Sequence, residues 1–213
     1  MTENTLIIAF DGPAASGKGT LAAAVAGDYG LPVLDTGLLY RAIGHLAFHH
    51  DVPLHDPDAL GELAREITPE LLALESLRGR EAGERASQVA AVPNVRTALK
   101  QFQVDFANRP GGAVLDGRDI GTVIAPHAPV KIFVTAAPEV RAHRRWLQLS
   151  QANPALTFDD VLSDIRIRDA RDSGRAEAPL EMAADALLLD TSDLGIEAAI
   201  AAARSLVKDR SGR

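Results

Sequence analysis

Cysteine is absent from the 213 residues, so neither a disulfide nor a thiolate metal site can form. That absence fits a reducing compartment. Lysine is scarce too: Lys18, Lys100, Lys131 and Lys208 are four of 22 basic residues, which leaves 18 arginines. Arginine suits two-point recognition of phosphate and carboxylate, although codon bias alone also produces an alanine- and arginine-rich composition. Positive charge is not in excess. The net charge of −7 removes any general attraction to nucleic acid. Long apolar runs are missing. Thr2-Glu3-Asn4 precede an apolar run over 6–10 that is too short for a secretory core, and no uncharged stretch approaches a membrane span. A cytoplasmic monomer with no nucleic-acid or membrane partner is expected.

Five short apolar runs read as strands, at 5–10, 32–34, 113–115, 130–135 and 186–189. They are continuous rather than alternating, as parallel strands covered on both faces are. Helical patterns fall between them. One spans 18–29 and ends at Gly30; others cover 38–49, 58–66, 139–151, 158–172 and 196–207. The stretch 81–108 should break or restart at Pro93, and Lys208 to Arg213 reads as a frayed tail. Alternating strands and helices predict a three-layer α/β/α fold with a central five-stranded parallel sheet, in one domain.

The turn after the first strand is Gly12-Pro13-Ala14-Ala15-Ser16-Gly17-Lys18-Gly19-Thr20. Glycine at 12, 17 and 19 lets successive N–H groups point at one anion, and the following helix adds its positive end. This is a P-loop for a nucleoside triphosphate. Lys18 is placed to reach the β- and γ-phosphates, and Thr20 or Ser16 to face the magnesium ion that accompanies ATP. Gly19 separates Lys18 from Thr20, a G-K-G-T variant that resembles nucleoside monophosphate kinases rather than GTPases.

A kinase needs an acceptor site facing that loop. In Asp35-Thr36-Gly37-Leu38-Leu39-Tyr40-Arg41, Thr36 sits where it can cap the next helix and Arg41 lies one turn inside it. An ordinary cap with a surface arginine fits the same residues. Asp116-Gly117-Arg118-Asp119 follows the third strand, where charged residues line a ligand crevice. Arg168, Arg171, Asp172 and Arg175 are spaced to share one helical face, which a solvated, internally paired face would also explain. His45 and His49 stand one turn apart without a third ligand of matching pattern, so an ordinary helix surface is expected there.

Taken in order, D-G-P-x-x-S-G-K-G-T, D-T-G-x-x-Y-R, A-S-Q-V-A with V-R downstream, D-G-R-D-I-G-T-V and R-D-x-R-D-x-x-R resemble the bacterial cytidylate kinase family across most of the chain. The resemblance implies ATP as donor, CMP or dCMP as acceptor, and no tightly bound organic cofactor. It implies an NMP-binding insertion over about 37–108 and a lid over about 157–180. Ser87, Arg96 and Asp119 match positions that read cytosine, whose amino group donates to a carboxylate and whose ring acceptors take Ser and Arg donors. Arg41, Arg118 and Arg175 match positions around the monophosphate, with Thr36 and Tyr40 beside them. Arg168 and Asp172 match positions near the sugar, and Arg144 an arginine on the ATP side. Lys18, Arg118, Arg168 and Arg175 are the expected charge-stabilising catalytic residues.

The resemblance departs between Thr36 and Ser87. The well-known long bacterial form carries extra β-structure there, whereas residues 67–85 here are short and charged, so that sheet is expected to be missing or reduced. Two other functions fit part of the pattern. One is a kinase for AMP, UMP or shikimate, which base-reading residues discriminate; the other is a nucleotide switch, which would need no second phosphate site.

Overall fold

The computed structural model describes residues 5–212; residues 2–4 and Arg213, both read above, lie outside the described residues. The sheet has the order β2-β3-β1-β4-β5 and is parallel throughout. Its strands are β1 (Leu6–Asp11), β2 (Val33–Asp35), β3 (Gly112–Gly117), β4 (Val130–Thr135) and β5 (Leu187–Asp190). Each lies within two residues of its expected place. Central β1 shows why its run is continuous. Ile7 and Ala9 enter the core on one face, and Leu6, Ile8 and Phe10 enter the core on the other. Replacing a fully buried Ile8 or Phe10 with alanine would cost about 2–5 kcal/mol, a large share of a typical domain's stability.

Helix α1 (Lys18–Tyr29) ends where expected, at Gly30 with φ 62°. Helix α2 (Thr36–His49) is capped by Asp35, whose side chain accepts from the Gly37 N–H at 2.9 Å. Thr36 is therefore not the cap that its position predicts. Its hydroxyl instead donates to the Asp116 carbonyl at 2.8 Å, tying α2 to the end of β3.

Short helices α3 (Pro57–Glu62) and α4 (Pro69–Leu72), with 3-10 turns after each, lead to α5 (Arg80–Val89) and α6 (Pro93–Ala107). Pro93 opens α6, where its missing N–H is harmless. No strand lies between Thr36 and Ala107 among the described residues, so the extra sheet of the long form is absent there. Helix α5 instead packs tightly on α2: a Cβ at Gly44 would stand 2.8 Å from Arg85 Cβ.

Beyond β3 comes a π-helical turn (Ile120–Ile124). Helix α7 (Pro138–Leu149) follows β4, and α8 (Phe158–Ser173) starts at a Thr157–Asp160 capping box. Helix α8 stops at Ser173, so Arg175 lies past the helix and does not share a helical face with Arg168. Helix α9 (Ile196–Ser211) runs through most of the expected tail. A third small core of Ala142, Leu156, Val161 and Ile165 joins α7 to α8 and includes Ala14 of the loop after β1.

Candidate active site

The loops after all five strands meet at the carboxyl edge of the sheet, the position where open α/β sheets bind ligands. The turn after β1 has the strand–turn–helix context expected of a phosphate loop. Gly12 has φ 148°, and a Cβ there would lie 2.0 Å from the Val134 carbonyl oxygen. A Cβ on Gly19 would meet Asp116 Oδ2 at 3.1 Å, a physical reason for the inserted glycine. Ala15 adopts φ 60°, a left-handed conformation that costs a non-glycine residue about 1–2 kcal/mol. Lys18 Nζ donates to the Pro13 carbonyl at 3.3 Å and stands 3.5 Å from Asp116 Oδ1. Burial, then the nearby Arg118, pushes Lys18 down to about 8.

Two cavities adjoin this loop, and a third shares Arg118 and Arg168 with one of them. The first, about 430 Å3, lies between the loop, α7 and the turn after β5, with Leu147, Leu194 and Ile196 on its walls. Arg144 lines it, its guanidinium donating to Thr191 Oγ1 at 3.0 Å and to the Thr191 carbonyl at 2.7 Å. The Ser16 hydroxyl, buried and without a hydrogen-bond partner, is also on this wall. An apolar slot with few polar groups suits a nucleobase.

The second cavity, about 450 Å3, is the middle chamber. Lys18 enters it from the loop, Arg41 from α2, Arg118 from the end of β3 and Arg168 from α8. Arg78, Arg80 and Arg145 also face it, and sequence reasoning did not single these out. The signal was available in the charged run at 77–84 and in the Arg144-Arg145 pair. Burial, then Arg118, pushes Arg168 down to about 9; burial, then Arg145, pushes Arg41 down to about 10. So dense a cationic lining favours an anion.

The third pocket is only about 40 Å3 and lies beyond Arg118, bounded by Tyr40, Ser87, Arg96, Asp119, Asp172 and Arg175. Several of its polar groups pair with one another. Arg96 pairs with Asp119, and the Ser87 hydroxyl donates to Asp172 Oδ1 at 3.2 Å. Asp172 is the hub: Arg118 Nε donates to it at 3.0 Å, and Arg168 and Arg175 each stand 3.7 Å away. Burial raises its pKa, but these three cations outweigh burial and hold it below the ordinary value. Buried Arg168 Nε and Arg175 Nη2 make no hydrogen bond. A pocket of this volume takes a few waters, so a nucleoside enters only when the surrounding elements separate and these pairs exchange.

Asp11, which sequence reasoning passed over as part of D-G-P, holds the turn that carries Arg118 and Asp119. Its carboxylate accepts from the N–H groups of Ile120 at 2.8 Å and Gly121 at 2.7 Å. Burial raises it to about 6 despite those bonds. Among the described residues no group of three His, Cys, Asp or Glu could hold a metal, and no helix is long and apolar enough to cross a membrane. The His45 and His49 rings lie against each other at a tilt of 54°, with centroids 4.2 Å apart.

Comparisons with known proteins agree with this geometry. Residues 8–209 match the family model described as cytidylate kinase. The cytidylate kinase of Caulobacter vibrioides strain NA1000 / CB15N is 54% identical over 207 residues, covering 97% of this chain and 97% of that protein. That of Azorhizobium caulinodans is 56% identical over 207 residues, covering 97% and 100%. Such mutual coverage means that these relatives have nearly the same length as this chain. Among solved structures, a shikimate kinase from Bacteroides thetaiotaomicron superposes with TM-score 0.52 at 14% identity, covering 95% of this chain and 98% of that one. An uncharacterised protein from Eubacterium ventriosum gives TM-score 0.53 at 14% identity, with 98% and 100% covered. These two likenesses speak to the α/β fold alone. Matched over nearly its whole length by the family model and by relatives more than half identical, the chain belongs to the cytidylate kinase family.

Proposed function

We propose that the protein transfers the γ-phosphoryl group of ATP to CMP or dCMP, giving ADP and CDP or dCDP. The observation that carries this reading is the continuity of the three cavities. An apolar base slot beside the phosphate loop leads through a chamber of cations to a small polar pocket with a carboxylate, a hydroxyl and a guanidinium. Two nucleotides placed end to end put their phosphates in the chamber. A nucleotide switch would need only the first two parts.

In this arrangement Arg144 covers the donor base, and the amides of residues 12–20 with Lys18 hold the donor phosphates. Asp119 accepts from the cytosine amino group, while Ser87 and Arg96 donate to its ring acceptors once their present partners exchange. Tyr40 and Thr36 shape the wall, Arg41 and Arg175 hold the acceptor phosphate, and Asp172 with Arg168 lies along the sugar. The acceptor phosphate oxygen is already anionic near neutral pH, so no general base is assigned. Catalysis rests on alignment and on charge neutralisation by Lys18, Arg118, Arg168 and Arg175.

Magnesium fits the oxygen donors present. Thr20 is exposed where the first two cavities meet, and the Asp116 carboxylate lines the second of them. With no protein cage among the described residues, the ion would be held by the Thr20 hydroxyl, donor phosphates and water. Bound there, it would offset the negative charge of the phosphates.

The test is a coupled assay with ATP and each of CMP, dCMP, UMP, AMP and GMP. CMP and dCMP should give the highest kcat/KM. A better rate with UMP or AMP would overturn the acceptor assignment.

A further inference from the structure

Asp169 sits on α8 directly after Arg168, yet it turns toward α7 rather than into the chamber. Its Oδ1 accepts from Arg141 Nη1 at 3.0 Å and its Oδ2 from Arg141 Nη2 at 2.6 Å. Arg141 is buried on α7. Its Nε donates to the Ala136 carbonyl at 2.8 Å, and its Nη1 also donates to the Ala14 carbonyl at 3.2 Å. One guanidinium therefore joins the lid helix, the turn after β4 and the phosphate loop.

The contact with the loop falls at a sensitive place. Ala15, with φ 60°, holds a backbone conformation that a non-glycine residue keeps only when its surroundings impose it. The carbonyl before it, of Ala14, is held by Arg141. The carbonyl after it, of Ser16, is held by the Thr191 hydroxyl at 3.0 Å. The strained residue is thus clamped from both sides, and only the Arg141 clamp runs on to the lid. Apolar contacts take the same route, because Ala14 packs in one cluster with Val161 and Ile165 of α8. On its neighbouring face the same helix presents Arg168 and Asp172 to the acceptor side.

We infer that Arg141 and Asp169 are positioning residues that make the phosphate-binding shape of the loop depend on docking of α8. Acceptor bound against Arg168 and Asp172 would hold the helix in this docked position after entry, and the docked helix would keep the loop set for ATP. By linkage, bound ATP would favour acceptor by the same factor. The inference rests on the two-nucleotide reading above.

Binding of a non-hydrolysable ATP analogue, measured by calorimetry with and without CMP, tests it. In the wild type CMP should tighten the analogue by about five-fold or more. Asp169→Asn should bind the analogue alone about ten-fold more weakly. CMP should no longer tighten it, while the affinity for CMP alone should stay the same. Unchanged donor affinity with intact tightening in the variant overturns the inference. So does an equal loss for CMP and the analogue, which marks a merely structural role. Hydrogen exchange on the wild type needs no variant: CMP alone should slow the amides of residues 14–16, and unchanged exchange overturns the inference. A wild type that binds the analogue but does not phosphorylate CMP overturns the acceptor assignment alone. The donor-affinity arm uses no acceptor and still decides the role of the pair.

Discussion

Lys18 Nζ stands 3.5 Å from Asp116 Oδ1, with both side chains less than a tenth exposed. Asp116 lies on β3 and Lys18 opens α1 behind the neighbouring β1, since Phe10 registers with Asp116 and the phosphate loop begins two residues later. Opposite charges buried together do not fully repay their lost hydration. Burial therefore moves both toward neutrality, Lys18 down to about 8 and Asp116 upward. The pair keeps an ammonium group ready for phosphate without fixing it.

That shift sets a pH dependence. In the free protein Lys18 loses its charge as pH rises through about 8. The kcat/KM for ATP should then fall by about ten-fold per pH unit. Bound triphosphate favours the protonated amine, so kcat at saturating ATP should hold to higher pH. Rate profiles from pH 7 to 10 at low and saturating ATP check this; coincident profiles would remove Lys18 from donor binding.

Arg118 should matter for turnover and little for folding. Its partner Asp172 retains Arg168 and Arg175 when Arg118 is removed. Arg118→Ala should lower kcat by about a thousand-fold, with an unaltered circular dichroism spectrum. Unchanged turnover would take Arg118 out of the mechanism.

Asp119 should govern the choice of base. A carboxylate accepts from the cytosine amino group and repels the uracil carbonyl at the same place. Asp119→Asn can both accept and donate there. It should lower the ratio of kcat/KM for CMP over UMP by about ten- to a hundred-fold. Competition assays with the two nucleotides measure that ratio, and a constant ratio would assign discrimination elsewhere.

Asp11 should leave a mark on stability. Burial raises its carboxyl from 3.8 to about 6, so between those values the folded chain binds the proton more tightly than the unfolded chain does. This group's contribution is greatest below pH 4. It is lost as pH rises through 6, by about 3 kcal/mol. Urea melts of the wild type and Asp11→Asn at pH 4 to 7 should differ in slope in that direction. Parallel curves would contradict the shift.

Much of the molecule is legible without coordinates because its signals are local. Strands covered on both faces need unbroken apolar runs, so the five runs announce the sheet. Pro93 and Gly30 mark helix ends by backbone geometry alone. The phosphate loop is equally local, since its glycines, Lys18 and the following helix lie within a dozen residues. Less legible is whatever depends on a partner elsewhere. Thr36 looks like a cap until the Asp116 carbonyl arrives beside it, and Asp35 takes the role. Arg175 follows a helical spacing on paper but lies beyond the end of α8. Arg78 and Arg80 belong to a charged run, and only the chamber brings them together with Arg145.

The sequence by itself determined the parallel α/β layering, the donor loop and the family, because each rests on short-range pattern or on motifs in register. Tertiary structure alone decided that the Asp11 carboxylate holds N–H groups 109 and 110 residues away, and that Arg141 joins α8 to the loop. Those contacts form between side chains and backbone groups that only the packed sheet brings within reach. In a linear chain nothing distinguishes such an aspartate or arginine from a solvated one.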